Sequence, residues 1–218
     1  AEFLSNALGI VSATGAVTEY LVLEPGARPL DVVVDSDGAV WFAESEGNAL
    51  GRYWPPTGSV ELFPMLYPDS YPQAVALDAQ ENVWFAAAAA NEIGVYDPVQ
   101  ITMTTYTIPT DDSFPTSLLV DGNGIVWFTE GMGNMIGRLD PSTGIITEYA
   151  LPTAGVMPAG IAVDEGGRLW FAETLADRIA VFDPATQAFT EYPLAAGAAP
   201  EDVTVLDGAI WFTQGGGN

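Results

Sequence analysis

The chain has 218 residues, of which 49% are hydrophobic, and it contains no cysteine and no histidine. Five arginines and no lysine stand against 29 acidic residues, which gives a formal net charge of −24 at pH 7. This composition excludes disulfides, zinc–thiolate sites, a thiol nucleophile and a histidine base. It also disfavours nucleic acid and anionic membranes as partners. Cations suit such a charge better, and the alternative is an acidic surface that only keeps the protein soluble.

The N-terminal residues carry no targeting signal that the sequence reveals. Residues 1–3 match no repeat of the chain and are interpreted as a cloning remnant. No apolar run approaches the roughly 18 residues that a membrane-spanning helix needs. The sequence therefore predicts no membrane span and leaves the compartment undetermined, with an extracellular or periplasmic location favoured.

A tetrapeptide of the form Trp-Phe-[Ala/Thr]-Glu, with two weaker copies, sets the period of the chain. Its tryptophans are spaced 43, 43, 43 and 41 residues apart, at Trp41, Trp84, Trp127, Trp170 and Trp211. An Asn or Asp, a Thr-Glu-Tyr triplet or its relic, and a Pro-rich loop recur with the same phase. A fixed period of this size indicates a repeat architecture.

Each repeat holds four short β-rich runs separated by Asp, Asn, Gly and Pro. In the first full repeat these are run A (32–35), run B (40–44), run C (50–53) and run D (60–63). Four antiparallel strands in about 40 to 45 residues are the pattern of a β-propeller blade.

The two ends of the chain each supply half a repeat. Runs C and D come from the N-terminal part (8–11 and 17–21), and runs A and B from the C-terminal part (203–206 and 210–213). Asn6 and Asn218 occupy the same phase of the repeat. The sequence therefore predicts one all-β domain over 1–218, a monomeric five-bladed β-propeller of four-stranded antiparallel blades whose last blade is closed by both termini. The alternative is a five-blade fragment of a longer propeller.

One stretch of the repeat carries a family resemblance. It reads Thr147-Glu148-Tyr149-Ala150-Leu151-Pro152-Thr153, then Pro158, then Leu169-Trp170-Phe171-Ala172-Glu173. It resembles the repeat of the virginiamycin B lyase family, and the resemblance extends over nearly the whole chain. The resemblance implies a relation to a seven-bladed streptogramin lyase that opens a cyclic depsipeptide by elimination, using Mg²⁺ and a histidine base.

The same resemblance implies that the glutamates of the motif, Glu44, Glu130 and Glu173, point toward the mouth of the propeller. The chain departs from the family pattern in two respects, because it has five repeats and no histidine. The elimination therefore lacks its base, and similarity of fold alone does not establish the function.

Pairing of runs A and B predicts which side chains share that mouth. A symmetric hairpin around Asp37 and Gly38 places Asp31 opposite Glu44, and the same count places Ser117 opposite Glu130. We therefore predict that one mouth gathers Glu44, Glu130, Glu173, Asp31, Asp202, Gln214 and Ser117. Carboxylates held close together favour a bound cation, and oxygen ligands alone prefer Ca²⁺ or Mg²⁺. The alternative is that each glutamate caps the amides of a neighbouring loop.

The residue before each loop proline forms a second candidate set. These residues are Arg28, Tyr71, Phe114, Met157 and Ala199. They are expected to rim the same mouth and to bind a ligand, since pockets combine apolar walls with a few polar groups. The alternative is that they pack between loops. The tryptophans and tyrosines at constant phase are expected to be core, whereas Trp54 stands outside that phase and either packs on Pro55 and Pro56 or contacts a partner.

These observations predict a ligand-binding or scaffold propeller that takes a small molecule or a cation at its central channel. One alternative is a metal-dependent lyase or hydrolase that uses glutamate instead of histidine on a cyclic ester or lactone. Another is a structural repeat module of a larger surface protein, without any small ligand.

Overall fold

A computed structural model describes residues 6–21 and 26–216. The interpretation of residues 1–3 and the repeat assignment of Asn218 lie outside the described residues. No helix of the described part is long and apolar enough to cross a membrane. The chain divides into two compact units, Ala1–Thr105 and Tyr106–Asn218, which are described in turn.

The first unit contains a two-stranded sheet followed by two four-stranded antiparallel sheets. The small sheet is β1 (Ala7–Val11) with β2 (Val17–Leu21). The next sheet is β3 (Pro29–Val34), β4 (Val40–Glu44), β5 (Ala49–Trp54) and β6 (Ser59–Pro64). The third is β7 (Pro72–Leu77), β8 (Val83–Ala87), β9 (Glu92–Asp97) and β10 (Thr102–Thr107), and β10 continues into the second unit.

The second unit repeats this plan in the opposite order. Its first sheet is β11 (Pro115–Val120), β12 (Val126–Glu130), β13 (Met135–Asp140) and β14 (Ile145–Ala150). Its second sheet is β15 (Pro158–Val163), β16 (Leu169–Glu173), β17 (Arg178–Asp183) and β18 (Ala188–Pro193), with a short 3-10 helix at Thr174–Ala176 between β16 and β17. A two-stranded sheet of β19 (Pro200–Leu206) and β20 (Ala209–Gln214) ends the described part.

An aspartate in four of the five described A–B hairpins explains why the repeat is so regular. In the second unit, Asp121 accepts the backbone N–H groups of Asn123 and Ile125 through Oδ1, and its Oδ2 accepts the indole N–H of Trp127 at 3.1 Å. The same bond to the repeat tryptophan is made by Asp35, Asp78 and Asp164. One carboxylate therefore fixes both the turn and the orientation of the indole beside it.

Aromatic side chains form the core where neighbouring sheets meet. In the first unit the rings of Trp41, Phe63 and Tyr96 lie 4.7–5.8 Å apart. In the second unit one tryptophan, one tyrosine and one phenylalanine pack together in the same way. The expected aromatic core is confirmed here, but it is wrong for the last repeat, where Trp211 is 61% exposed. Among the described strands β20 pairs with β19 alone, whereas each of the other B strands also pairs with a C strand.

The strand positions agree with the sequence prediction, whereas the pairing of strands A and B does not. Pro29 lies opposite Glu44, and Ser117 lies opposite Thr129. The predicted pairs Asp31–Glu44 and Ser117–Glu130 are therefore wrong. The A–B hairpin of the first repeat is centred on Asp37 itself, half a residue before the predicted centre. A β-bulge near the start of each A strand then shifts the pairing register further.

Candidate functional site

The loops from strand D to strand A are tied to the turns between strands B and C by the repeat asparagine. In the first unit, Asn48 accepts the N–H of Ser70 through Oδ1 at 2.7 Å and donates through Nδ2 to the carbonyl of Tyr67 at 2.8 Å. In the second unit, Asn134 accepts the N–H of Val156 at 2.9 Å. These bonds hold each D–A loop on its own sheet, so side chains on the loop start from a fixed backbone.

The residue before each loop proline has a left-handed backbone, which is costly for a non-glycine residue. The φ angles are 53° at Arg28, 57° at Tyr71, 54° at Phe114, 54° at Met157 and 42° at Ala199. The conformation costs roughly 1–2 kcal/mol per residue. It is held because the carbonyl of each residue accepts an N–H from the B–C loop, at 3.0 Å from Gly131 to Phe114 and 3.2 Å from Thr174 to Met157.

These strained positions keep part of their side chains in solvent. Arg28, Tyr71 and Phe114 are half-buried, and Met157 is 37% exposed. Arg28 also forms an ion pair with Glu46. Strain of this kind concentrates at functional sites, and it presents arginine, aromatic and thioether groups beside each D–A loop. That these five residues share one mouth stays a prediction.

The repeat glutamates are fully buried rather than presented at an open surface. Glu44, Glu130 and Glu173 each have 0% of their surface exposed. The amides of the loop after Glu130 donate to carbonyls of the D–A loop, from Gly131 to Phe114 and from Met132 and Gly133 to Ser113. The alternative in which Glu130 caps these loop amides is therefore wrong.

Glu130 is a buried acid beside a second carboxylate. Its burial raises the pKa of the Glu130 carboxyl to about 8, the charge of Glu148 adds to the shift, and Ser113 opposes it. Glu148 itself accepts the N–H of Thr110 at 2.9 Å through Oε1. An acid with this pKa holds its proton through neutral pH, so the buried Glu130 carboxyl is neutral there.

Glu173 occupies the equivalent position one sheet later, but it has a cation beside it. Burial raises the pKa of Glu173 to about 7 and nearby Glu191 adds to the shift, whereas Arg178 opposes it. Arg178 lies directly across the strand pair from Glu173. Its Nη1 donates to Glu191 at 2.5 Å and to the hydroxyl of Thr153 at 2.8 Å. This cluster therefore contains two carboxyls and one guanidinium.

The remaining predicted site residues have local structural contacts. Asp31 accepts the N–H of Val32 at 2.8 Å and that of Val75 at 2.9 Å, so it links strands β3 and β7. Asp202 accepts the N–H of Val203 at 2.9 Å and its own N–H donates to Thr213. Ser117 donates its backbone N–H to the hydroxyl of Thr129. Gln214 is exposed at the end of β20.

The acidic residues do not gather into a metal site within the described residues. No three Asp or Glu side chains of that part of the chain lie together as a metal site. In the Glu173 cluster Arg178 already supplies a positive charge, and Glu130 holds its proton through neutral pH. The divalent-cation site expected from Glu44, Glu130, Glu173, Asp31 and Asp202 stays a prediction.

The neighbours of the buried glutamates were not among the predicted site residues. Glu148 and Glu191 belong to the Thr-Glu-Tyr triplet that marks strand D, and they are 43 residues apart. Glu130 and Glu173 have the same spacing, so the shared period was the sequence signal that could have paired each buried glutamate with its neighbour. Arg178 and Met135 occupy the same repeat position on strand C, opposite the two glutamates. In the sequence, only their difference in charge distinguishes the two clusters.

Comparison with known proteins decides the family. The model of the virginiamycin B lyase family matches residues 1–218. The chain belongs to the virginiamycin B lyase family. A solved virginiamycin B lyase from Staphylococcus aureus is 31% identical with a TM-score of 0.90, over 98% of this chain and 72% of that one. A streptogramin B lyase structure is 29% identical with a TM-score of 0.93, over 99% and 72% of the two chains.

A third structure bears on chemistry within the virginiamycin B lyase family. It is a catalytically inactive histidine-to-alanine variant of the Staphylococcus aureus lyase with quinupristin, 28% identical with a TM-score of 0.90, over 97% of this chain and 72% of that one. No curated protein matches this chain. The described sheets of this family member have the β-propeller fold of these relatives, and the chain has no histidine at any position.

Proposed function

We propose that this chain is a ligand-binding β-propeller of the virginiamycin B lyase family that does not carry out a histidine-based elimination. The absence of histidine carries the proposal. In the Staphylococcus aureus relative, replacement of one histidine by alanine leaves a catalytically inactive protein that is seen with quinupristin. This chain has no histidine, and in that respect it resembles the inactive variant that is seen with quinupristin.

The strained residues of the D–A loops are the proposed ligand contacts. Tyr71 in the first unit, and Phe114 and Met157 in the second, combine partial exposure with a backbone that hydrogen bonds hold in place. Preorganised aromatic and apolar groups bind at a low entropic cost. Arg28, Ser117 and Gln214 are the proposed polar contacts. The proposed ligand class is a cyclic depsipeptide of the streptogramin B type.

The proposal includes a blade count. Four complete sheets carry the full A-to-D pattern, and β1–β2 and β19–β20 carry its second and first halves. We take these halves as one fifth blade. The divalent cation expected near the repeat glutamates is part of the proposal.

Glu130 favours one further candidate function, a lyase or hydrolase that acts on a cyclic ester or lactone with a carboxyl in place of histidine. A pKa of about 8 is suited to proton transfer near neutral pH. Glu130 has no exposed surface, however, so a substrate would reach it only after the residues that cover it move. For that reason binding is the primary proposal.

Quinupristin is the probe that separates these candidates. Calorimetric titration should show binding by the intact chain, while mass spectrometry should show no linearised product after prolonged incubation. Phe114→Ala should weaken binding at least fivefold, because interface aromatics are common binding hot spots. Ile145→Ala is the matched control, since Ile145 is 61% exposed at the other end of its sheet.

Two results would change the conclusion. Absence of binding at the highest soluble quinupristin concentration would refute the binding function. Linearisation that Glu130→Gln abolishes would instead establish the carboxyl-based enzyme.

A further inference from the structure

Strand β5 of the first unit ends in a tryptophan, Trp54, where strand C of the other complete sheets ends in an aspartate. Those aspartates accept backbone N–H groups of the turn to strand D, and they are Asp97, Asp140 and Asp183. The turn after β5 closes without a carboxylate, since the Trp54 carbonyl accepts the N–H of Gly58 at 2.9 Å. The turn therefore gives no reason for a large aromatic side chain, and the indole is left half-buried.

Two neighbouring cross-strand pairs place polar groups around this indole. Trp54 of β5 lies opposite Ser59 of β6, and Arg52 lies opposite Glu61. Because alternate residues of a strand share a face, these four side chains lie on one face of the sheet. The hydroxyl of Thr57 lies 2.8 Å from that of Ser59. The face therefore presents an indole, two hydroxyls, a guanidinium and a carboxylate together.

The Arg52 guanidinium is held in place beside the indole. Its carbon Cζ lies 5.3 Å from the ring centre of Trp41 and 5.7 Å from that of Trp54. Its Nη2 lies 3.6 Å from Oδ2 of Asp35. The Arg52 side chain nevertheless remains 31% exposed. A guanidinium has five N–H donors, so this one keeps donors for a bound molecule in a fixed orientation.

These side chains line a groove with a volume of about 310 Å³. Its lining residues are Arg52, Trp54, Thr57, Ser59 and Glu61. Small-molecule pockets have volumes from roughly 300 to 1,000 Å³, so this groove is suited to a single small ring. It lies at the end of the sheet where β5 turns into β6, whereas Arg28 and Tyr71 belong to the D–A loops at the opposite end. The groove is therefore separate from the proposed depsipeptide contacts.

The charges and hydroxyls of the groove favour a neutral ligand that carries hydroxyl groups. Glu61 and the net charge of −24 disfavour an anion, and Arg52 disfavours a cation. A wholly apolar molecule would cover these polar groups without giving them hydrogen-bond partners. A pyranose ring has one face of C–H groups, which suits the negative face of an indole. The hydroxyls at its edge both donate to a carboxylate and accept from a guanidinium.

We propose that this groove binds a neutral pyranose sugar. The ring stacks on Trp54, and its hydroxyls bond to Arg52 and Glu61 on one side and to the hydroxyls of Thr57 and Ser59 on the other. The proposal goes beyond the proposed depsipeptide function, because the two differ in both site and ligand.

Saturation-transfer NMR titrations of the intact chain with glucose, galactose, mannose and N-acetylglucosamine test the proposal. At least one of these sugars should bind with a millimolar dissociation constant, as ligand efficiencies imply for about 12–15 non-hydrogen atoms. Trp54→Ala should weaken binding at least about tenfold, because buried aromatics are common binding hot spots. Trp54→Tyr keeps a flat ring and should weaken it at most about threefold. Val99→Ala is the matched control and should bind as the wild type does, since Val99 is 86% exposed in the C–D turn of the next sheet.

A second variant and two charged probes complete the experiment. Glu61 is exposed, so Glu61→Ala should leave the fold intact while weakening sugar binding at least about threefold. Glucuronate and inorganic phosphate should bind less tightly than the best neutral sugar, and tighter binding of either would overturn the proposal in favour of an anion site at Arg52. Absence of binding by all four neutral sugars would also overturn it. Equal sugar binding by the wild type, Trp54→Ala and Glu61→Ala would do the same, because the sugar would then bind elsewhere.

Discussion

Replacement of Glu130 by glutamine should make the protein more stable at alkaline pH. The carboxyl is fully buried and its pKa is raised from 4.5 to about 8, first by burial and then by Glu148. In the unfolded chain the same group titrates near its ordinary value. Between about pH 4.5 and pH 8 the folded state therefore holds a proton that the unfolded state has released.

The sign and size of the effect follow from this linkage. The stabilisation is fully present below the unfolded pKa and is lost as the pH rises through the folded pKa. At about 1.36 kcal/mol per unit, the shift sets an upper limit of about 5 kcal/mol at pH 9. Local rearrangement relieves part of that cost, so we expect Glu130→Gln to gain about 2–4 kcal/mol over the wild type between pH 4.5 and pH 9.

Urea unfolding at constant ionic strength and several pH values measures this gain. The control is Glu165→Gln, which removes the same charge from an exposed turn of the same unit. The control is needed because a chain of net charge −24 repels itself more strongly as the pH rises. If the two variants have the same stability difference from wild type at every pH, Glu130 is not the buried titrating group and the reasoning is refuted.

Two further predictions concern core packing and divalent cations. Trp127→Ala should lower the free energy of unfolding by about 3–5 kcal/mol in urea, because it empties a buried aromatic site. Trp54→Ala should lower it by about 1 kcal/mol, because Trp54 is only half-buried and contacts the Arg52 guanidinium at 5.7 Å. Equal costs would contradict the distinction between the two tryptophans. Millimolar Ca²⁺ or Mg²⁺ at fixed ionic strength should raise the melting temperature of the wild type but not that of the Glu44→Gln/Glu130→Gln/Glu173→Gln variant, and an equal rise in both would show that the ions act only on the overall acidic charge.

The features that could be predicted from the sequence are those that repeat in both position and residue type. Asp121 and Trp127 recur six residues apart in four hairpins, because one carboxylate serves the turn and the indole together. Strand positions follow from that spacing. The family assignment from the repeat is confirmed by the match over residues 1–218.

The pairing of strands A and B could not be predicted because a β-bulge changes register without changing composition. Ser117 lies opposite Thr129, although a symmetric count places it opposite Glu130. The bulge also separates the position of Asp31 from that of Glu44. A predicted cluster that depends on opposed side chains therefore fails by a small offset, even when each strand is placed correctly.

The state of the motif glutamate could not be predicted from the motif, because the decisive neighbour lies on another strand. Glu130 and Glu173 end the same tetrapeptide and are equally buried. Opposite them on strand C stand Met135 and Arg178. The guanidinium lowers the pKa of Glu173 against the effect of burial, whereas Met135 offers Glu130 no charge. Strands B, C and D each contribute one member of the cluster, so the charge of the glutamate depends on all three strands together. The single-strand pattern that identifies the family therefore leaves that charge undetermined.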